Sequence, residues 1–191
     1  MKIVHLVDYS MPTMGYQEFL LPKYNAIHGH DVTIITSDKY MYIPNYEEVL
    51  FEFLGPRNVG PSDSVIENVR IIRLKTFFEI KGRPWILSLI KAIKKIQPDL
   101  LFVHGTGSFT AYRVALAKFD SNLVVMYDNH MIFDVRQSGF FQTIYYNFHK
   151  HIMRRLIEYS ASYVFGVTSE TCDYLKKVGK PNVSLAVKGG G

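Results

Sequence analysis

The chain has 191 residues, a net charge of +5 and one cysteine, Cys172. This length suits one domain, the single cysteine excludes an internal disulfide, and no run of about 18 apolar residues occurs that could span a membrane. The first residues reach the acidic Asp8 too early for a secretory signal, so we expect a cytosolic protein, and the basic balance admits an anionic partner.

Strands and helices alternate along the chain. The predicted elements are, in order, a strand at 2–7, a helix at 16–28, strands at 31–36 and 69–74, a helix opened by Pro84 and closed by Pro98, a strand at 99–104, a helix at 108–118, a strand at 122–127, a helix at 142–159, a strand at 162–167, a last helix that begins at Thr168 or Ser169, and a short strand at 183–187. Their apolar strands are typical of a parallel sheet covered on both faces. We therefore predict an α/β fold with a Rossmann-like, doubly wound, mostly parallel sheet and helices on both faces.

Three segments interrupt this regular pattern. Pro22 lies within the helix predicted at 16–28, so that helix either kinks there or begins its regular part at Pro22. Residues 37–68 form a long irregular connection, which we interpret as a flap on the acceptor side of a cleft. The glycine run at 188–191 resembles a hinge. We expect residues 1–184 to form one domain and residues 185–191 to begin the hinge to a second domain.

Polar residues and glycines follow the ends of the predicted strands, where doubly wound sheets bind their ligands. These residues are Asp8, Gly15, Ser37, Asp38, His104, Gly105, Thr106, Gly107, Asp128, Asn129, His130, Thr168 and Ser169. The sequence therefore predicts a polar cleft at that edge of the sheet.

Several of these segments occur in the order seen in one enzyme family. They are the opening strand, the Gly-Tyr-Gln-Glu turn at 15–18, the Gly-His-Asp-Val run into the strand at 29–37, Pro-Asp-Leu-Leu-Phe-Val-His-Gly at 98–105 and Val-Thr-Ser-Glu at 167–170. From residue 1 to about residue 188 the chain resembles the N-terminal domain of family-4 retaining glycosyltransferases of the GT-B fold. The run at 188–191 resembles the hinge into their second domain.

The resemblance implies a function and a set of site residues. The N-terminal domain binds the acceptor, a glycan or a lipid-linked molecule, while the nucleotide-sugar donor is held mainly by the second domain. His130 resembles the catalytic cleft histidine, and Gly15 and Tyr16 resemble the turn that faces the donor diphosphate, where a glycine lets the backbone approach a phosphate. The candidate acceptor-binding residues are Tyr9, Gln17, Arg83, His104, Thr106, Asp128, Asn129 and Arg136. No cofactor and no metal ion is implied.

The residues alone leave other interpretations open. Asp8 and Asp128 each either fix a sugar hydroxyl or cap the following turn, and His104 and His130 each have a structural alternative too, since residues at strand ends often bond to neighbouring backbone. Gly105 and Gly107 precede a helix, and Asp128 follows about twenty residues later, as in the NAD(P)-binding Rossmann domain of an oxidoreductase. A nucleic-acid-binding module would rest on charge and aromatic content alone.

The helix predicted at 142–159 has a basic side. Lys150, Arg154 and Arg155 turn mostly away from an apolar set that we predict to be core, namely Ile144, Tyr145, Phe148, Ile152 and Leu156. The basic side is either an ordinary solvated surface or a peripheral contact with the anionic inner face of a membrane.

Overall fold

The computed structural model describes residues 1–129, 140–177 and 183–185. The strands assigned there are β1 (Lys2–Leu6), β2 (Asp31–Ser37), β3 (Ser62–Ile66), β4 (Val69–Leu74), β5 (Thr76–Ile80), β6 (Arg83–Ile86), β7 (Leu100–Val103), β8 (Val124–Asn129), β9 (Tyr163–Gly166) and β10 (Val183–Leu185). The α-helices are α1 (Gln17–Ile27), α2 (Tyr46–Val49), α3 (Phe51–Leu54), α4 (Leu89–Ile96), α5 (Phe109–Leu116), α6 (Phe140–Phe148), α7 (Arg154–Ser160) and α8 (Ser169–Lys177). A π-helical turn, His149–Met153, joins α6 to α7.

The main sheet confirms the predicted fold class. Within the described residues it has eight strands in the order β10-β9-β8-β7-β1-β2-β4-β3, and each neighbouring pair is parallel except β3 with β4. The chain builds outward from β1 through β2 and β4, and then returns to β7 on the other side of β1. The order therefore reverses between β1 and β7, which places a crevice at the carboxyl ends of these two strands.

Helices cover both faces of the sheet. On one face, α4, α5 and α7 pack on alternate strand residues such as Val4, Leu6 and Leu101. On the other face, Phe19 of α1 packs on Val32 and other apolar strand residues. Alternate residues of a strand point to opposite faces, so both faces of these apolar strands become core. No helix of the described residues is long and apolar enough to cross a bilayer.

The segments before α4 differ from the prediction. The connection at 37–68 contains α2, α3 and the antiparallel edge strand β3. Pro84 does not open a helix but lies in β6, which pairs with β5 in a separate hairpin, and α4 begins at Leu89. Pro22 lies inside α1, so the alternative that the regular helix begins there is wrong. Proline is tolerated both at the first turn of a helix and in an edge strand, and this explains the error at Pro84.

The helix after β8 presents a different face to the core than predicted. Ile144, Phe148 and Ile152 are about half exposed, at 51%, 43% and 51%, whereas His149 and Ile157 are buried. Our prediction for these three apolar residues was therefore wrong. It assumed a regular α-helix, and the π-helical turn changes which residues face the sheet.

A close contact in this fold predicts one sensitive position. A Cβ atom added to Gly166, the last residue of β9, would lie 2.6 Å from the backbone nitrogen of Cys172 in α8. Because backbone must then move, we expect Gly166→Ala to lower the free energy of unfolding by about 2–3 kcal/mol, as in overpacked cores. Urea denaturation measures this, and a loss below about 0.5 kcal/mol, typical of surface positions, would show that α8 packs less closely.

Candidate active site

A cleft of about 550 Å³ opens at the reversal point of the sheet. Its walls come from the loop after β1, the start of α1, the segment 37–68, the β5–β6 turn and the loop after β7. The lining residues are Val7, Asp8, Tyr9, Met11, Tyr16, Glu18, Phe19, Met41, Tyr42, Lys81, Gly82, Arg83, His104, Gly105, Thr106, Gly107, Ser108 and Asn129. The fold thus brings together segments that lie up to about a hundred residues apart in the chain.

Asp8 is the carboxyl group at the carboxyl end of β1. Its Oδ1 atom accepts a hydrogen bond of 2.6 Å from Thr110 Oγ1. Burial raises the pKa of Asp8 from 3.8 to about 7, although the bond from Thr110 and the charge of Arg83 act in the opposite direction. At neutral pH Asp8 is therefore balanced between its two protonation states, which suits a group that exchanges a proton with a ligand.

His104 and Asp128 belong to a buried hydrogen-bond chain on the α1 face of the sheet. Asp128 Oδ2 lies 2.8 Å from His104 Nδ1, His104 Nε2 lies 3.1 Å from His5 Nδ1, and His5 Nε2 lies 3.0 Å from Asn25 Nδ2. Because a carboxylate only accepts, His104 donates from Nδ1, His5 donates from Nδ1 to His104, and Asn25 donates to His5. Burial, together with the neighbouring His104, holds the pKa of His5 well below its usual value.

The same carboxylate fixes the loop after β7, residues 104–108, which we call the glycine loop. The Gly105 amide donates to Asp128 Oδ1 at 2.7 Å, and Gly105 adopts a φ of +84°, which favours glycine. Thr106 Oγ1 donates to Asn129 Oδ1 at 3.0 Å. Ser108 Oγ caps α5 by accepting from the Ala111 amide. The loop is therefore held by β8 on one side and by its own helix on the other.

Charged side chains fix segments that neighbour the cleft. Arg57, which follows α3, donates from one nitrogen to both carboxylate oxygens of Glu79 in β5 at 2.6 Å. Burial raises the pKa of the Tyr9 hydroxyl, and the adjacent Glu79 raises it further. Arg73 donates to the carbonyl oxygens of Ser10 and Ser37 and so ties together the loops after β1 and β2.

The structure places most of the predicted site residues around this cleft. Tyr9, Tyr16, Arg83, His104, Thr106 and Asn129 line it. Asp128 is 2% exposed and its oxygens bond to His104 and Gly105, which favours the loop-capping role that the sequence left open. The lining within the described residues includes neither Gly15 nor Gln17, although both flank Tyr16. His130 and Arg136 lie outside the described residues.

Gly15 is explained by its backbone rather than by crowding. Its φ is +68°, and a Cβ atom added there would meet nothing within 4 Å. The turn into α1 therefore needs a residue that tolerates the left-handed conformation. The open space around Gly15 leaves room for a ligand, and its predicted contact with a diphosphate stays a prediction.

Some cleft residues were not among the predicted site residues. Met41 and Tyr42 come from the segment interpreted as a flap, and their position at the cleft agrees with its predicted location. Lys81 lies at the turn of the β5–β6 hairpin, which was not predicted. Two short strands around Lys81-Gly82, rich in phenylalanine and isoleucine, were the available signal for this hairpin.

The pKa of Asp8 predicts a pH-dependent stability. The folded protein keeps the Asp8 proton up to about pH 7, whereas the unfolded chain releases it near pH 3.8, so the stabilisation from this proton is complete at low pH and is lost as the pH rises. The free energy of unfolding of the wild type relative to Asp8→Asn should therefore fall between pH 4 and 7 and then level off. Urea denaturation across this range measures it. A difference in unfolding free energy that stays constant with pH would show that Asp8 ionises normally. Thr110→Val should extend the fall to higher pH, because the hydrogen bond from Thr110 lowers the pKa of Asp8.

Two solved structures match this chain. The structure superposes on sucrose-phosphate synthase from Thermosynechococcus elongatus with a TM-score of 0.64 and 15% sequence identity, over 96% of this chain and 47% of that one. It also matches UDP-GlcNAc 2-epimerase from Methanocaldococcus jannaschii, with a TM-score of 0.46 and 17% identity, over 97% of this chain and 45% of that one. The chain thus spans about half the length of these two proteins. The first match shows the fold alone, and no curated protein sequence gave a significant match.

A family assignment comes from the sequence. The family described as Glycosyltransferase Family 4 matches residues 23–187, which is most of the chain. Nothing in the comparisons supports the oxidoreductase alternative, and the Asp128 carboxylate is occupied by His104 and Gly105 rather than open to a ribose. The chain therefore belongs to glycosyltransferase family 4.

Proposed function

We propose that this chain is the acceptor-binding domain of a retaining glycosyltransferase that moves a sugar from a nucleotide-sugar to a glycan or lipid-linked acceptor. The family match over residues 23–187 carries this proposal. The location of the cleft supports it, since ligands of such sheets bind where the strand order reverses.

In this proposal the cleft binds the acceptor hydroxyl beside Asp8. When the acceptor oxygen bonds to the sugar and the diphosphate leaves, the hydroxyl proton must go to an acceptor group. Asp8, with a pKa of about 7, matches that task at neutral pH. Arg83 and the glycine loop also line the cleft, and in this proposal they orient the rest of the acceptor.

The donor side completes the proposal. In this proposal a second domain holds the nucleotide-sugar, and Gly15 and Tyr16 face its diphosphate. His130 directly follows Asn129 of the cleft wall and contacts the transferred sugar. The proposal needs no resident metal ion, so transfer should persist in EDTA.

The test is a transfer assay on a protein that joins this chain to its second domain. Release of nucleoside diphosphate is measured over a panel of nucleotide-sugars and glycan acceptors. We expect His130→Ala to lower kcat about 10²-fold, because transition-state hydrogen bonds have effects of that size. The control is His28→Ala, an exposed histidine near the end of α1 whose ring nitrogen Nδ1 lies 2.8 Å from the Tyr24 carbonyl oxygen. Transfer by His130→Ala at the rate of the control would remove His130 from the mechanism.

We also propose that this cytosolic enzyme contacts the inner face of an anionic membrane. The sequence suggested Lys150, Arg154 and Arg155, of which the Lys150 side chain lies outside the described part of the structure. Arg154 instead donates to Glu158 at 3.0 Å, so it does not support a lipid contact, whereas Arg155 is exposed. The half-exposed Ile144, Phe148 and Ile152 supply an apolar stripe near Arg155 along the same helical segment.

Sedimentation with vesicles of phosphatidylglycerol and phosphatidylcholine tests this contact. Arg155→Gln should weaken binding about fivefold, the effect of about 1 kcal/mol per charge near such a surface. The double variant Ile144→Ser, Ile152→Ser should weaken it further, because both side chains would lose contact with lipid. Val65→Ser, which changes an exposed residue on the edge strand β3, serves as the control. Equal vesicle binding by all these variants would show that this helix is an ordinary solvated surface and does not contact the membrane.

A further inference from the structure

The π-helical turn between α6 and α7 keeps four residues on one side of the segment. Tyr145, His149, Met153 and Ile157 are spaced by four residues, and the last three are buried. In a regular α-helix of 3.6 residues per turn, twelve residues would rotate Ile157 about 120° away from Tyr145. The wider turn at His149–Met153 offsets much of this rotation, since it adds a residue to the helical turn.

His149 begins a chain of buried hydrogen bonds that ends at the cleft. His149 Nδ1 lies 2.9 Å from Tyr112 Oη, Tyr112 Oη donates to Tyr145 Oη at 2.8 Å, and Tyr145 Oη donates to the Gly107 carbonyl oxygen at 2.5 Å. A carbonyl only accepts, so Tyr145 must donate to Gly107 and must accept from Tyr112. The Tyr112 oxygen then accepts from His149, which carries a proton on Nδ1.

This series of hydrogen bonds ends at two groups that line the cleft, the Gly107 carbonyl and the Arg83 guanidinium. The Gly107 carbonyl accepts a second hydrogen bond, of 2.9 Å, from Arg83 Nε. The guanidinium carbon of Arg83 lies 4.5 Å from the centre of the Tyr145 ring, within the range of a cation–π contact. Tyr145 therefore contacts both Gly107 and Arg83, and both line the cleft.

Packing alone does not require these polar atoms. Tyr112 belongs to the apolar core cluster, and His149 is 2% exposed beside it. Phenylalanine and leucine would fill such positions without polar groups that need partners, and a half-satisfied buried polar chain is costlier than an apolar core. Burial, with the charges of Arg154 and Arg83, also lowers the pKa of His149 to about 4, so the ring stays neutral at physiological pH.

We propose that His149, Tyr112 and Tyr145 are positioning residues, which hold the Gly107 carbonyl and the Arg83 guanidinium in the geometry that binds the acceptor. None of the three needs to touch the reacting atoms. The consequence for the acceptor rests on the proposed function, whereas the positioning of Arg83 is a property of this chain alone.

Nuclear magnetic resonance of the ¹⁵N-labelled chain tests the positioning directly. In the wild type we expect the His149 ring to carry its proton on Nδ1 at neutral pH. We expect His149→Leu to raise the solvent-exchange rate of Arg83 Nε–H about fivefold, because losing one net hydrogen bond of about 1 kcal/mol has that effect. His149→Asn should restore the wild-type rate, since its amide nitrogen can donate in place of Nδ1.

Two further variants separate a specific effect from general loosening. Tyr145→Phe keeps the ring over Arg83 but removes the hydroxyl, and it should raise the exchange rate as His149→Leu does. Tyr159→Phe removes a hydroxyl from a residue that is 93% exposed and should change nothing. If His149→Leu does not fold, Tyr145→Phe decides the question by itself. An unchanged Arg83 exchange rate in folded Tyr145→Phe, or an Nε2-protonated His149 in the wild type, would overturn the proposal.

The transfer assay adds the functional consequence. Tyr145→Phe should raise KM for the acceptor several-fold and leave kcat within about twofold, because only acceptor positioning is lost. Absence of any sugar transfer by the wild type would contradict the proposed function and leave the exchange result standing. A normal KM together with a raised exchange rate would show that Arg83 is positioned but not used for the acceptor, and would overturn that part of the proposal.

Discussion

The structure of the cleft depends on how the buried carboxylate of Asp128 is satisfied. This carboxylate is 2% exposed, and it accepts from the Gly105 amide and from His104. An unpaired buried charge would cost several kcal/mol, so the carboxylate requires that both donors stay in place. The hydrogen bonds continue from His104 to His5 and Asn25. They therefore connect β8, β7, β1 and α1 at one edge of the cleft. Loss of any member removes a hydrogen bond from its neighbours.

The glycine loop is held from both faces of the sheet. The Asp128 chain lies on the α1 face, whereas Tyr145 reaches Gly107 from the face covered by α5 and α7. A loop so anchored loses little further freedom when a ligand binds, which favours affinity and alignment. The ion pair between Arg57 and Glu79 and the bonds from Arg73 to both neighbouring loops hold other segments close to the cleft. Asp8 lines the cleft, and its raised pKa follows from its burial.

The sequence predicted the parallel sheet and the edge of the sheet where the cleft lies, because these depend on local patterns. Apolar runs marked the strands that compose most of the sheet, and Gly105 and Gly107 marked the loop after β7. The hydrogen-bond chain was beyond prediction, because His5 and His104 are 99 residues apart and meet only through the order of the strands. The β5–β6 hairpin was missed because proline, here Pro84, is compatible with both the first turn of a helix and an edge strand. The exposure of Ile144 was missed because the predicted pattern assumed 3.6 residues per turn.

The most direct measurement for the central claim, that this chain supplies the acceptor side of the cleft and not the donor site, is calorimetric titration with a panel of nucleotide-sugars. The isolated 191 residues should unfold cooperatively, because buried apolar clusters pack on both faces of the sheet within the described residues. They should bind every nucleotide-sugar with a dissociation constant far above the micromolar range, because in our proposal the second domain binds the base and the sugar, and this chain contacts the diphosphate at Gly15 and Tyr16. Micromolar binding, or sugar transfer by this chain alone, would contradict the account and would show that the donor site lies within these residues.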